Sequence, residues 1–302
     1  MEKNPLDLTE TTDTHWHPKG KMFNGTHYIL SGPESSPLVV MIHGIDSFFY
    51  NFDRLSIRLQ ENGFRVLYYD LLGRGFSLPH SSNLYGREQH IDQLHGLLEH
   101  LQLTTVPFHL LGFSKGGSLA TIYATRFPEE IKTLTLLSPA GLMAGTDIAW
   151  LRTLWCTHGL LRDMIIQKSL RQETSNSFYN KSGIYKERED FMFIMKRRVF
   201  SNNKHQAEAT WQSILQFPLY DIHNEVEILA SRNDLPVHLV FGDKDRVVEF
   251  NYNFHQWKSI LDQGRCKPEY TVYKDGGHNL LIEHPDETEE ILVRFLITHK
   301  LN

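Results

Sequence analysis

The chain has 302 residues, 40 % of them hydrophobic and 22 % charged, with 31 basic residues against 36 acidic ones and a formal net charge of −5. That is globular composition with room for a large core, and the acidic balance argues against nucleic acid as a partner, which needs a basic face. Two cysteines, Cys156 and Cys266, build no disulfide framework, the polar first twenty residues lack the apolar centre of a secretory signal, and no apolar run approaches the length of a membrane span, so the expected setting is cytoplasmic.

Residues 1–20 read as a loose lead-in. Beyond them, short apolar runs alternate with longer amphipathic ones. PLVVMIHG (37–44) reads as a buried strand, and FDRLSIRLQENG (52–63) has helical spacing with Gly63 as its stop. FRVLYYDLLG (64–73) reads as a strand, 87–103 as a helix, VPFHLLG (106–112) as a strand, 115–128 as a helix closed by Pro128, and IKTLTLLSP (131–139) as a strand. The alternation breaks after Gly141, and residues 143–234 carry helix-like pieces without a convincing strand. LPVHLVFGDKD (235–245) resumes the strand pattern, followed by a helix near 251–261, a strand in EYTVYKDGG (269–277) and a last helix over 285–299 with Pro285 at its opening. Strands buried on both faces read as continuous apolar runs, and β–α alternation makes a parallel sheet with helices on both sides. The expected architecture is one α/β domain, built from residues 21–142 and 235–302, with a helical insertion over 143–234.

Gly112-Phe113-Ser114-Lys115-Gly116 sets G-x-S-x-G between a strand and a helix. A nucleophile on so sharp a turn needs small neighbours, hence Gly112 and Gly116, and the turn lifts the hydroxyl to the positive end of a helix. A serine nucleophile needs a base, and the base needs an orienting acid. Asp245 closes the loop after one strand and His278 the loop after the next, both at carboxyl ends of strands, where open α/β sheets bind ligands. Asp243 is a rival acid that could equally cap its own turn. Two backbone amides should receive the oxyanion: that of Lys115 and, from the loop MIHGID (41–46), that of Ile45. His43 in that loop reads as a packing residue that transfers no proton; with Phe113, Trp150 and Trp155 it is also a candidate substrate contact. DLLGRGFS (70–77) lacks the third glycine of a dinucleotide fingerprint and reads as a shaped turn behind the site. His15 and His17 have no carboxylate or cysteine partner at ligand spacing, so no metal site is expected there.

The motifs HGID (43–46), DLLGRGFS (70–77), GFSKGG (112–117), SPAG (138–141), FGDKDRVV (241–248) and GGHNLLIEHP (276–285) give the chain its resemblance to α/β-hydrolase serine hydrolases, over roughly residues 24–301 apart from the insertion. It looks most like lidded esterases and lipases of the monoacylglycerol-lipase type. The resemblance implies the α/β-hydrolase fold, a mostly parallel central sheet flanked by helices, with residues 143–234 as a helical lid, and a triad of Ser114, Asp245 and His278 that uses no cofactor or metal. The substrate implied is a small-molecule ester or lipid with an apolar acyl part. Carbon–carbon bond hydrolases share the pattern, and a non-catalytic binding protein on the same scaffold is the alternative of another class. The large apolar residues of 143–234 and the run Lys196-Arg197-Arg198 allow peripheral membrane contact. Nothing in the sequence sets the oligomeric state.

One residue departs from the family pattern. Lys115 follows the nucleophile, where methionine, glutamine or leucine is common, and a cation in the first turn of a helix is disfavoured by the dipole. Its stem packs while the ammonium reaches water or an acid such as Asp46 or Asp70, or it faces the pocket rim and favours an acidic substrate group.

Overall fold

The computed structural model describes residues 20–45, 47–144 and 206–300. Most of the expected lid, with Trp150, Trp155 and Lys196 to Arg198, lies outside the described residues, as do residues 1–19 of the lead-in and Asp46.

Eight strands form one sheet in the order β1-β2-β4-β3-β5-β6-β7-β8. They are β1 (Gly20–Phe23), β2 (Thr26–Ser31), β3 (Leu38–Ile42), β4 (Arg65–Tyr69), β5 (Phe108–Phe113), β6 (Ile131–Leu137), β7 (Val237–Gly242) and β8 (Glu269–Tyr273). From β4 to β8 every pairing is parallel, whereas β1 and β2 run antiparallel. Every residue of β3, β5 and β7 is buried, which is why those runs are apolar without alternation.

Successive side chains of these strands feed two separate cores. Val40, Ile42, Leu110, Leu134, Leu136, Leu239 and Phe241 join one cluster; Val39, Met41, Leu111, Leu137 and Val240 join the other. The first is closed by α2 (Arg87–His100), α3 (Lys115–Arg126), α5 (His223–Ser231) and α6 (Phe250–Gln263), the second by α1 (Asp53–Glu61) and α8 (Pro285–Thr298). α4 (Gln206–Gln216) opens the segment 206–300, and α7 (Leu280–Glu283) is a single turn before α8.

Two results differ from the sequence reading. Residues 20–31 form a hairpin that the apolar-run pattern misses, because β1 is only half-buried. Its turn is Asn24-Gly25, both at positive φ (43° and 77°), the pairing that two-residue hairpins favour. Residues 223–231, grouped with the insertion, form α5. This helix packs on α3 and α6 in the layer flanking the sheet, where Val226 and Leu229 meet Trp257 and Leu261. The chain crosses back into that layer at a stitch: Gly141 N–H donates to Leu219 O at 2.7 Å, and Ile222 N–H donates to Gly141 O at 2.9 Å. Gly141 has φ +109°, and a Cβ there would strike the Ile222 side chain, so glycine is required on both counts.

Candidate active site

β5 ends at Phe113 and α3 begins at Lys115, so Ser114 alone makes the turn, with φ 55° and ψ −120°. Such a conformation in a non-glycine residue costs about 1–3 kcal/mol and persists only where its surroundings enforce it. Here they do. Ser114 N–H donates to Leu137 O of β6 at 2.9 Å, and Ser114 O accepts from Gly117 N at 2.9 Å and Ala140 N at 3.1 Å. A Cβ on Gly112 would run into the Gly116 carbonyl, and one on Gly116 into the carbonyls of Ile42 and His43, so the elbow closes only with glycine at both places.

The expected acid and base meet. His278 Nδ1 and Asp245 Oδ2 lie 2.7 Å apart, both groups buried. Asp245 Oδ1 accepts from Val247 N and Val248 N, each at 2.9 Å, so its second oxygen is held by its own loop. A carboxylate that accepts these donors keeps the proton of His278 on Nδ1 and leaves Nε2 as the basic nitrogen. The rival Asp243 is engaged elsewhere. Its Oδ1 accepts from Asp275 N at 2.7 Å, and its own N–H donates to Tyr273 O at 2.9 Å, which ties the β7 loop to the β8 loop. The Phe113 ring lies 5.0 Å from that of His278. Ser114 and His278 share no direct hydrogen bond, a contact that commonly tightens only when substrate binds.

The loop after β3 presses on the serine. A Cβ on Gly44 would stand 3.1 Å from the Ser114 Cβ, so Ile45 follows directly beside the nucleophile. Among the described residues, neither the Ile45 amide nor the Lys115 amide has an acceptor, as two oxyanion donors require.

Three of the singled-out residues are placed as follows. His43 is fully buried; its Nδ1–H donates to Gly44 O at 2.7 Å and its Nε2 accepts from Leu71 N at 2.9 Å. Burial pushes its pKa down to about 4. It is a neutral packing residue with both ring nitrogens engaged, and not a substrate contact. Phe113 is buried in the second core with its ring against His278, so it backs the imidazole. Lys115 reaches neither water, acid nor rim. It is 1 % exposed, with Nζ 2.7 Å from His90 Nε2 and 3.0 Å from Ser213 Oγ, and 4.8 Å above the Phe217 ring. No carboxylate among the described residues pairs with it. Burial first, and the Arg74 charge second, hold its pKa well below the usual lysine range. His90, enclosed beside it, is held well below the usual histidine range by burial and by the Lys115 and Arg74 charges.

Other supports carry no motif of their own. Asp70, fully buried, accepts from Phe49 N (2.7 Å), Phe76 N (3.0 Å) and the His27 imidazole (2.9 Å), and so knots β2, the β3 loop and the 70–77 turn together. Glu283 accepts from Gly277 N at 3.0 Å, and Asn279 donates to Asn51 Oδ1 at 2.9 Å, which joins the histidine loop to the turn after β3. Arg74, 1 % exposed, donates from Nε to Ile45 O at 2.7 Å and from Nη1 to Gln206 O at 3.1 Å. The available signal is a bulky cation between Gly73 and Gly75 in a turn otherwise shaped for burial.

The chain is 22 % identical to monoacylglycerol lipase ABHD6 of Homo sapiens over 268 residues, which cover 87 % of this chain and 76 % of that one. It is 24 % identical to Lipase 1 of Psychrobacter immobilis over 263 residues, covering 87 % and 78 %. The solved structure of an esterase from Exiguobacterium antarcticum superposes with a TM-score of 0.69 at 19 % identity, over 90 % of this chain and 96 % of that one, a likeness of fold. The sequence pattern of the alpha/beta hydrolase fold matches residues 37–285. With its sheet order, its serine elbow and that match, the chain belongs to the alpha/beta hydrolase fold family.

Proposed function

We propose that this protein is a serine hydrolase that cleaves a carboxylic ester with an apolar acyl part, of lipid or monoacylglycerol type, through an acyl-enzyme. The observation that carries it is a serine held at φ 55° on a strand-to-helix turn, with an Asp245–His278 pair of 2.7 Å on the loops after β7 and β8. The names of the lipase relatives support the ester and the apolar acyl part.

Ser114 Oγ attacks the ester carbonyl while His278 Nε2 takes its proton. Asp245 keeps the imidazole in the required tautomer and stabilises the imidazolium. The amides of Ile45 and Lys115 hold the tetrahedral oxyanion at the positive end of α3. The imidazolium then protonates the leaving alcohol. A water that gives its proton to His278 attacks the acyl-Ser114, and collapse of the second tetrahedral intermediate frees the acid.

The test is labelling by a fluorophosphonate probe, then turnover of p-nitrophenyl esters of increasing acyl length and of monoacylglycerols. Labelling of the native chain, its loss in Ser114→Ala, and a fall in turnover of about 10⁶ in that variant are expected. A folded native chain that releases a dienoate from a vinylogous diketone and turns over no ester would overturn the ester reading. Peripheral contact with a membrane belongs to the same proposal and is read from vesicle flotation of the full chain. No helix among the described residues is long and apolar enough to cross a membrane.

A further inference from the structure

α4 carries an unusual buried stripe. Gln206, Thr210, Ser213 and Phe217 recur at helical spacing, and all four are buried. A helix that only covered a core would place aliphatic side chains there. Three of these four are polar: Ser213 meets Lys115 through its hydroxyl, whereas Gln206 meets Arg74 through its backbone carbonyl.

Each cation leads to one side of the serine. Arg74 reaches Gln206 O with Nη1 at 3.1 Å and Ile45 O with Nε at 2.7 Å. Its own backbone is fixed, since Arg74 N–H donates to Leu71 O at 2.9 Å within the turn that Asp70 knots. Holding the Ile45 carbonyl with a planar guanidinium fixes the peptide plane that follows Ile45 and limits how the residue can turn, while the plane that carries its amide is held at the Gly44 carbonyl, which accepts from His43 Nδ1 at 2.7 Å. Lys115 reaches Ser213 Oγ at 3.0 Å, seven residues along the same face of α4, and His90 Nε2 of α2 at 2.7 Å. Its side chain therefore ties the first residue of α3, whose amide faces the oxyanion, to two neighbouring helices.

We propose that Arg74 and Lys115 are positioning residues that set the two oxyanion amides by anchoring Ile45 and the start of α3 to the polar stripe of α4. The proposal rests on the assignment of those amides to the oxyanion in the function proposed above. It also accounts for a lysine after the nucleophile: the side chain turns away from the elbow to two hydrogen-bond partners and an aromatic face.

The experiment uses the full chain and Arg74→Lys, Lys115→Met and Ser213→Ala. Active sites are titrated with the fluorophosphonate, kcat and KM are measured on p-nitrophenyl butyrate, and inhibition by a trifluoromethyl ketone, which mimics the tetrahedral oxyanion, is compared. Loss of a whole oxyanion donor costs about 10²–10³ in turnover, so misplacing one in Arg74→Lys or Lys115→Met is expected to lower kcat about 10- to 100-fold per titrated site. Ser213→Ala, the mildest change, is expected to lower it about 3- to 10-fold. In each case KM stays within about twofold and ketone affinity falls by the same factor as kcat. If Arg74→Lys or Lys115→Met does not fold, Ser213→Ala decides. A purely structural role would lower Tm and the titrated fraction while leaving kcat per site and ketone affinity at native values, and that result overturns the proposal. If the native chain takes no fluorophosphonate, the catalytic reading itself fails.

Discussion

The two halves of the site are held in opposite ways. The acid and histidine stand on loops held mainly by their own residues and by each other, with one tie to the turn after β3 through Asn279 and Asn51. Asp245 is fixed by the amides of Val247 and Val248, Asp243 by that of Asp275, and the histidine loop by Glu283 six residues from Gly277. The serine and its amides are held largely from outside, by Arg74, by Asp70, and by Lys115 with partners on α2 and α4. The contrast teaches that position along a loop can settle where a catalytic group sits, whereas the direction of a backbone amide needs bracing by side chains remote in sequence.

The largest effect that would break the comparison lies in the self-held half. Asp245→Asn is expected to lower kcat about 10⁴-fold with little change in fold, because the amide favours the wrong tautomer of His278. If the assignment is inverted, Asp243→Asn does this instead, and steady-state kinetics on both variants separate the two. In the outside-held half, Asp70→Ala is expected to cost about 3–5 kcal/mol, since it strands the buried Phe49 amide, the half-buried Phe76 amide and the His27 imidazole; urea unfolding reads this directly. A loss under about 1 kcal/mol would mean that the knot around Asp70 braces nothing. Gly116→Ala is expected to cost at least about 3 kcal/mol, because its Cβ meets backbone on the facing strand and not a side chain that can turn away; the observables are soluble yield and Tm.

A subtler test is the acid limb of stability. Burial lowers His43 and His238 to about 4 and His109 to about 3, so each is neutral in the folded chain while its unfolded counterpart titrates near 6.5. Unfolding therefore takes up protons below that pH. The stability these groups contribute is complete above about 6.5 and falls toward about pH 4, each adding a slope of up to about 1.4 kcal/mol per pH unit. Urea midpoints that stay level from about pH 7 to about pH 5 would contradict it. His109→Gln, which leaves a side chain able to meet the Thr133 hydroxyl, should flatten the slope. The smallest change is expected for Asp243→Asn: within about tenfold of native kcat, and about 1 kcal/mol of stability from the weakened bond to Asp275 N.

What can be read from the chain follows the same division. β3, β5, β6 and β7 announce themselves as apolar runs because the sheet buries both their faces, and Ser114 and Asp245 stand just past two of them, while His278 follows the edge strand β8, which is only half-buried. The β1–β2 hairpin hides behind weak burial although Asn24-Gly25 marks its turn. α5 falls in with the insertion because a helical pattern does not say which surface it will cover. Lys115 is the hardest to read. Its departure from the pattern is plain, but its partners His90 and Ser213 lie 25 and 98 residues away, and no local rule connects a cation to a hydroxyl at that distance.

The stitch between Gly141 and the Leu219–Ile222 segment has an evolutionary consequence. Reciprocal hydrogen bonds bring the two ends of the excursion together, so the sheet experiences whatever lies between them as a single closed loop. The cost of closing such a loop grows only slowly with its length. Different excursions can then be exchanged, as cassettes, on one base without rebuilding the sheet. The freedom has a limit at α4, which returns inside the cassette. On the proposal made above, a transplanted excursion must present acceptors for Arg74 and Lys115 at the same depth, or the exchange would misalign the oxyanion amides.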